Sequence, residues 1–379
     1  MQEVVSHLPV APCANPELGY FNQQNQSGAI ARINGYPYVL TNNILGEKSQ
    51  RESELPAHLA FLEESGISFQ DRWVDNDRSN EKYVIATVQR GINEGWIVEQ
   101  NREVFMCGCG KTEFLNTPEN LHEGQDRTTY TVCNGEVTCK LCGDEAVMRD
   151  RDVLVMNLPE REIPYVDIYP NYARLEIEEL LKFFKGKEYL LSRNTPKPFS
   201  INIEEKKYWI DADMGWLPFI HNLQENNQYR VDVLLTGSRT LKQVALALLV
   251  NGRLKANLPS MIISTPRIDI DFGKRPHRNA AEFLEQSGGD VTKVFLAQAL
   301  GADDKSLILQ SSGAYWVAKS LEKYSREVLL PEKMPDLKQF INPRNKAVLD
   351  VLLKKLRGGK TEQLTNYEKA LMWVFTSAK

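Results

Sequence analysis

Two runs, YRVDVLLTG (229–237) and LPSMIIST (258–265), are apolar almost throughout, and the segment between them, TLKQVALALLVNG (240–252), has a helical pattern. Strands without polar alternation must be covered on both faces, and strands joined through a helix run parallel. The same alternation appears earlier in the chain. YPYVLTN (36–42) is strand-like, and ESELPAHLAFLEESG (52–66) predicts a helix closed by Gly66. FQDRWVDND (69–77) is extended, NEKYVIATVQRGINEG (80–95) places Val84, Val88 and Ile92 on one helical face, and YARLEIEELLKFFKG (172–186) predicts another helix. The expected fold class is α/β, a doubly wound parallel sheet of Rossmann-like type.

The alternation breaks between residues 101 and 160, where five of the six cysteines fall. FMCGCGKTEFL supplies Cys107 and Cys109, and VCNGEVTCKLCGDEAV supplies Cys133, Cys139 and Cys142. A C-x-C turn facing a C-x-x-C turn, each followed by glycine, is the layout of a zinc ribbon. Four thiolates, from Cys107, Cys109, Cys139 and Cys142, would close a tetrahedral shell with no position left for water, so the zinc is structural. Cys133 is the spare ligand, and disulfides or free thiols are the alternative. MQEVVSHLPVAPCANP has neither a basic start nor an apolar run, so no signal peptide is expected. The expected location is the cytoplasm, where thiols stay reduced.

With 379 residues, 42% of them hydrophobic, the chain can build a large core and one or two smaller units. No apolar stretch approaches the roughly 20 residues of a membrane helix. The net charge of −4 gives no global basic field for nucleic acid. From about Asp303 the pattern becomes helical, in GAYWVAKSLEKYSREVL, NKAVLDVLLKKLRGG and NYEKALMWVFTSA. The expected division is a Rossmann-like domain in two halves (1–100 and 161–302), a zinc-binding insertion (101–160) and a C-terminal α-helical domain (303–379).

Several segments, in order, resemble the catalytic half of a class I aminoacyl-tRNA synthetase, closest to the methionyl subgroup. APCANPELGY (11–20) is similar to the first-strand segment, in which proline, aromatic, alanine and asparagine lead into the HIGH signature. FLEESGISFQDRW and INEGWIVEQNREVFMCGCG resemble the passage through a helix into a zinc-bearing knuckle, and YLLSRNTPKPFSI (189–201) the segment after the insertion. KKYWIDADMGWL (206–217) is similar to the Y-V-W-x-D-A-x-x-G-Y motif, with Trp209, Asp211, Ala212 and Gly215 in register. DVLLTGSRTLKQ fits the strand ending in glycine, here Gly237, and RNAAEFLEQSGGDVTKVFLA (278–297) resembles the segment after the KMSKS loop. The resemblance covers roughly residues 10 to 330. It implies an amino-acid substrate, ATP with magnesium, and transfer of the acyl group to tRNA or another acceptor.

The signatures themselves are altered. HIGH is shortened to Glu17-Leu18-Gly19-Tyr20, and a glutamate repels the triphosphate that a histidine at this helix start would hold. The KMSKS stretch reads IDIDFGKRPHRN, in which Lys274, Arg275, His277 and Arg278 form a basic cluster: a phosphate contact or a solvated loop. TNNILGEKS stands where an acidic G-x-D-E-H-G segment is expected, and the five histidines (7, 58, 122, 221, 277) miss the family's catalytic positions.

The resemblance gives Asp211 the substrate ammonium or a ribose hydroxyl; capping the next turn is the plainer role. Trp209 and Trp216 line a pocket or simply the core. Asn15 and Asn42, at the ends of the first two strands, lie where open α/β sheets bind ligands. Cys13 takes the place of an aromatic residue beside the amino-acid pocket. Candidate catalytic residues are Asp211, Lys274 and Arg275; Gly19, Gly237, Lys274, Arg275 and His277 are candidates for nucleotide contact. Two function classes follow: a repurposed ligase that activates an amino acid for a non-standard acceptor, or a silent homologue that binds an amino acid, a tRNA or a protein. An enzyme that accepts ready-made aminoacyl-tRNA is a variant of the first.

Overall fold

The computed structural model describes all residues except 15, 46–50, 109–111, 114–129, 134–135, 140–141, 161–162, 194–198, 272–275, 278–292, 294–304, 311–330, 342–347, 349–350, 353, 356–357, 359 and 377–379. Asn15, Cys109, Lys274 and Arg275 lie outside the described residues, as do the side chains of Cys133 and His277.

The first half alternates as β1 (Gln2–His7), α1 (Leu18–Asn34), β2 (Tyr38–Asn42), α2 (Arg51–Glu64), β3 (Asp71–Val74) and α3 (Arg78–Asn93). The first strand ends at His7, before the APCANPELGY segment expected to hold it, so its end is not at Asn15, and Leu18–Tyr20 of that segment already belong to α1. Gly35 (φ 67°) and Gly66 (φ 68°) adopt the left-handed conformation that stops α1 and α2. Asp77 caps α3 by accepting a hydrogen bond from Ser79 N at 2.9 Å.

An antiparallel insertion follows: β4 (Ile97–Met106), β5 (Thr112–Glu113), β6 (Tyr130–Cys133), β7 (Glu136–Cys139) and β8 (Val147–Asn157). β4 and β8 pair from Ile97↔Met156 to Met106↔Val147, a ribbon about 30 Å long at ~3.4 Å per residue. Ile97, Leu154 and Met156 bury its base in the core, and Val147 and Met148 are exposed at its far end.

The second half comprises β9 (Asp167–Tyr169), α4 (Asn171–Phe184), β10 (Glu188–Leu190), β11 (Ser192–Arg193), β12 (Phe199–Ile203), β13 (Lys206–Ile210), α5 (Phe219–Asn227), β14 (Tyr229–Gly237), α6 (Leu241–Arg253) and β15 (Met261–Thr265). Beyond it come β16 (Arg267–Asp271), β17 (Pro276–His277), β18 (Ser306–Gln310), α7 (Leu337–Phe340) and α8 (Asn366–Thr376). β18 falls within the stretch read as a helical tail; it pairs in parallel with β16.

Six parallel strands form the central sheet in the order β3-β2-β1-β14-β15-β9. Both faces are buried, as the uninterrupted apolar runs require. Val5, Leu40, Val233 and Ile263 pack against α1, α2 and α8, while Val4, Val39, Leu234 and Ile262 pack against α3, α4, α5 and α6. Each fully buried aliphatic side chain contributes about 1.5–3 kcal/mol. The chain leaves β1 toward β2 and returns through β14 toward β15, so the strand order reverses between β1 and β14. Ligands of open α/β sheets bind at the carboxyl ends of strands at such a reversal.

Candidate functional site

At the reversal, α1 lies across the two central strands. Gln23 Nε2 donates to the carbonyls of Leu8 (3.4 Å) and Leu235 (3.3 Å), one from each side. A Cβ at Gly237 would lie 3.7 Å from Gln23 Oε1, so the carboxyl end of β14 sits close to the helix. After β1 the chain crosses the strand ends: Val10 N donates to Thr41 O and Asn43 N to Val10 O. Asn42, fully buried at the end of β2, donates from Nδ2 to Val10 O at 3.4 Å, while its Oδ1 has no partner.

The segment Asn22 to Ser27 is buried although all six residues are polar. Gln24 Nε2 donates to His58 Nε2 (2.9 Å), and His58 Nδ1 donates to Cys13 O (3.0 Å), so α1 and α2 together hold the loop that carries Cys13. His7 Nδ1 donates to Leu8 O at 2.9 Å, which leaves Nε2 a bare acceptor with no partner. Burial pulls the His7 imidazole down to about 4, with the nearby His58 a smaller cause in the same direction. Burial also lowers His58, against its bond to Cys13 and the charge of Glu54. Both rings are therefore neutral near pH 7. The sequence reading left these histidines without a role; the signal was the placement of His7 two residues after Val5, on the same buried strand face.

The Trp209–Leu217 segment is clamped over the ends of β2 and β3. Asp75, fully buried, accepts from Ile44 N (2.6 Å) and from Leu45 N. Asn80 Nδ2 donates to Asp75 O (2.6 Å) and Gly215 O (2.8 Å), Asn222 Nδ2 donates to Asn80 Oδ1 (2.8 Å), and Trp73 Nε1 donates to Asn222 Oδ1 (3.2 Å). Leu45 and Phe199 abut Gly215, where a Cβ would lie 3.1 Å from the Phe199 ring. Asp211 is buried and accepts from Asp213 N at 2.9 Å, the capping role. Trp209 is half-buried with Lys207 Nζ 4.0 Å from its ring centre, and Trp216 belongs to the core. None of the polar clamp residues Asp75, Asn80 and Asn222 was singled out from the sequence.

The start of α1 carries mixed charge. Glu17 precedes the helix without a capping bond from its side chain, and Tyr20 is exposed. A Cβ at Gly19 would lie 3.8 Å from Arg267 Cα, so this turn rests on the β15–β16 junction. There Asp269 pairs with Arg267 at 3.7 Å. Burial and then the charge of Glu17 raise the Asp269 carboxyl, while Arg239 opposes them. Two carboxylates thus share the place where a polyphosphate would meet the helix dipole.

At the far end of the insertion, Cys107, Cys139 and Cys142 bring their sulfurs within 4.8 Å of one another, with Cys107 and Cys142 3.0 Å apart. Gly143 (φ 78°) makes the turn, its N donating to Cys139 O at 2.8 Å. Cys107 and Cys139 are buried with Val137 and Ala146. Three converging thiols are the donor set of a soft metal site and fit zinc.

The fold is that of a class I synthetase. The chain matches Mycobacterium tuberculosis methionyl-tRNA synthetase in complex with methionyl-adenylate at 14% identity and a TM-score of 0.63, covering 100% of this chain and 82% of that one. It matches the apo form of the same enzyme at 12% identity and a TM-score of 0.61, covering 99% and 87%. No protein-family model matches the sequence, and a search of curated proteins finds no match.

Proposed function

We propose that the protein is a repurposed class I-type ligase that binds an amino acid at the carboxyl ends of β1, β2 and β14 and passes its acyl group to a non-standard acceptor, a tRNA or a small molecule. One contrast carries the reading. The crevice framework is fully built, with Gln23 spanning the strand reversal and Asn80 clamping the Trp209–Leu217 segment, while Glu17 and Asp269 occupy the helix start where phosphates would bind. In this reading the amino-acid half of the site is kept and the nucleotide half is rebuilt. ATP with magnesium would be handled by Lys274, Arg275 and His277 together with Arg239 and Arg267. Asp211, Trp209, Cys13, Asn15 and Asn42 border the amino acid. Cys107, Cys109, Cys139 and Cys142 hold a structural zinc, with Cys133 the replacement ligand, and the protein works in the cytoplasm. Among the described residues no helix is long and apolar enough to cross a membrane.

The test is amino-acid-dependent exchange of labelled pyrophosphate into ATP across the standard amino acids, run beside calorimetric binding of the same panel. Exchange or saturable binding with a restricted set of amino acids is expected. Silence in both experiments would overturn the proposal. The two carboxylates at the helix start favour one second reading, a protein that binds an amino acid or a ready-made aminoacyl-tRNA without ATP. Binding without exchange would select it.

A further inference from the structure

We propose that the buried polar groups between β1, β2, α1 and α2 at the carboxyl end of the sheet form a subsite for a nitrogen–hydrogen donor at the end of an amino-acid side chain, an amine or a carboxamide. This rests on the reading of the crevice as an amino-acid site. Three acceptor atoms carry it: His7 Nε2, Gln24 Oε1 and Asn42 Oδ1 have no hydrogen-bond partner, and each residue is 0% exposed.

They belong to one place. Val5 pairs with Tyr38, so His7 lies opposite Leu40 on the face that Tyr38, Leu40 and Asn42 share, and the His7 and Tyr38 rings are 5.9 Å apart. A Cβ at Gly28 would lie 3.9 Å from Tyr38 Cδ1, so this side of α1 covers that face. Gln24 is one turn nearer the start of α1, about 5.4 Å. Two strand residues from Tyr38 advance about 6.6 Å in the same direction. Gln24, Leu40 and His7 are therefore level, and Asn42 stands one step nearer the mouth. α2 closes the side through His58.

The nitrogen donors here are engaged. Gln24 Nε2 serves His58, His58 Nδ1 serves Cys13 O, His7 Nδ1 serves Leu8 O and Asn42 Nδ2 serves Val10 O. What remains is three neutral acceptors together with the Tyr38 hydroxyl, which also has no partner. A thioether or alkyl end would leave all three unbonded, and a carboxylate would meet three lone pairs against the single Tyr38 hydroxyl. An amine or a carboxamide nitrogen supplies the missing hydrogens, and only the far end of a side chain reaches as deep as His7.

Calorimetry on the full-length protein with lysine, glutamine, methionine and norleucine tests this, because norleucine is lysine without its terminal nitrogen. Lysine or glutamine is expected to bind more tightly than norleucine by roughly tenfold or more, the weight of a hydrogen bond. Which of the two wins assigns the amine or the carboxamide. His7→Phe removes one of the three acceptors and should shrink the ratio of lysine or glutamine to norleucine binding, and Asn42→Ala makes the same test if His7→Phe does not fold. Equal or tighter binding of norleucine or methionine would overturn the subsite and leave the amino-acid site standing. Failure of every amino acid to bind, with and without ATP and magnesium, would remove both.

Discussion

Asn80 donates from its side-chain nitrogen to the carbonyl of Gly215 at 2.8 Å, tying α3 to the segment that carries Trp209 and Asp211. The same nitrogen serves Asp75 O, and its oxygen accepts from Asn222, so one side chain satisfies three buried groups. Asn80→Leu keeps the branch at Cγ and removes every bond. The expected loss is about 2–4 kcal/mol, since each stranded buried group costs roughly 1–3 kcal/mol and some will relax. The midpoint of urea unfolding, followed by tryptophan fluorescence, checks it; a shift under ~0.5 kcal/mol would mean that the clamp is not needed.

Acid should weaken the protein through its buried imidazoles. His7 is held near 4, and His58 and His221 are also lowered, in each case mainly by burial. Below about 6.5 the unfolded chain takes up protons at these rings while the folded chain does not, so stability falls as pH drops from that value through about 4 for His7. Above 7 these groups add no slope. Thermal unfolding measured at half-unit steps from pH 7.5 to 4.5 should fall progressively, and more shallowly in His7→Phe. An unchanged slope in that variant would show that His7 titrates freely in the folded state.

The central sheet was legible because parallel strands covered on both faces leave long apolar runs: β14, α6 and β15 were read directly from residues 229–265. β2, α2, β3, α3 and α4 followed from ordinary periodicity and from Gly66. α1 was harder to read. Its buried amides interrupt the apolar stripe, and what makes them tolerable lies far away, as when Gln23 reaches Leu235 across 212 residues of sequence. The clamp was hidden for the same reason: Asp75, Asn80 and Asn222 look like turn and cap residues until the strand ends bring them together. The cysteine spacing did anticipate that the sulfurs of Cys107, Cys139 and Cys142 come together.

Metal should prove structural at that cluster. Cys139 is fully buried with its sulfur within 4.8 Å of the other two, so Cys139→Ser leaves no soft ligand in its place. Zinc measured by atomic emission should be present in the purified parent and largely lost in the variant. Proteolysis should cut the insertion first, because only this small unit relies on the metal. Equal zinc content in parent and variant would exclude Cys139 as a ligand.

Gly91 marks where α3 meets the root of the insertion. A Cβ there would stand 2.5 Å from Ile97 Cδ1, 2.7 Å from Ile97 Cγ1 and 3.0 Å from the Trp96 ring. Alanine is the better helix former by about 1 kcal/mol, yet overpacking a filled core costs roughly 1–3 kcal/mol. Ile97 is buried at 1% exposure and cannot swing aside, so the clash should win. Gly91→Ala is therefore expected to destabilise the protein by about 1 kcal/mol. Ile97→Val removes the nearest methyl and alone should cost about 1 kcal/mol. The double variant should then be more stable than the sum of the two effects by at least ~0.5 kcal/mol, which a double-mutant cycle of denaturant midpoints would detect. Strict additivity would mean that α3 shifts as a body instead of pressing on Ile97.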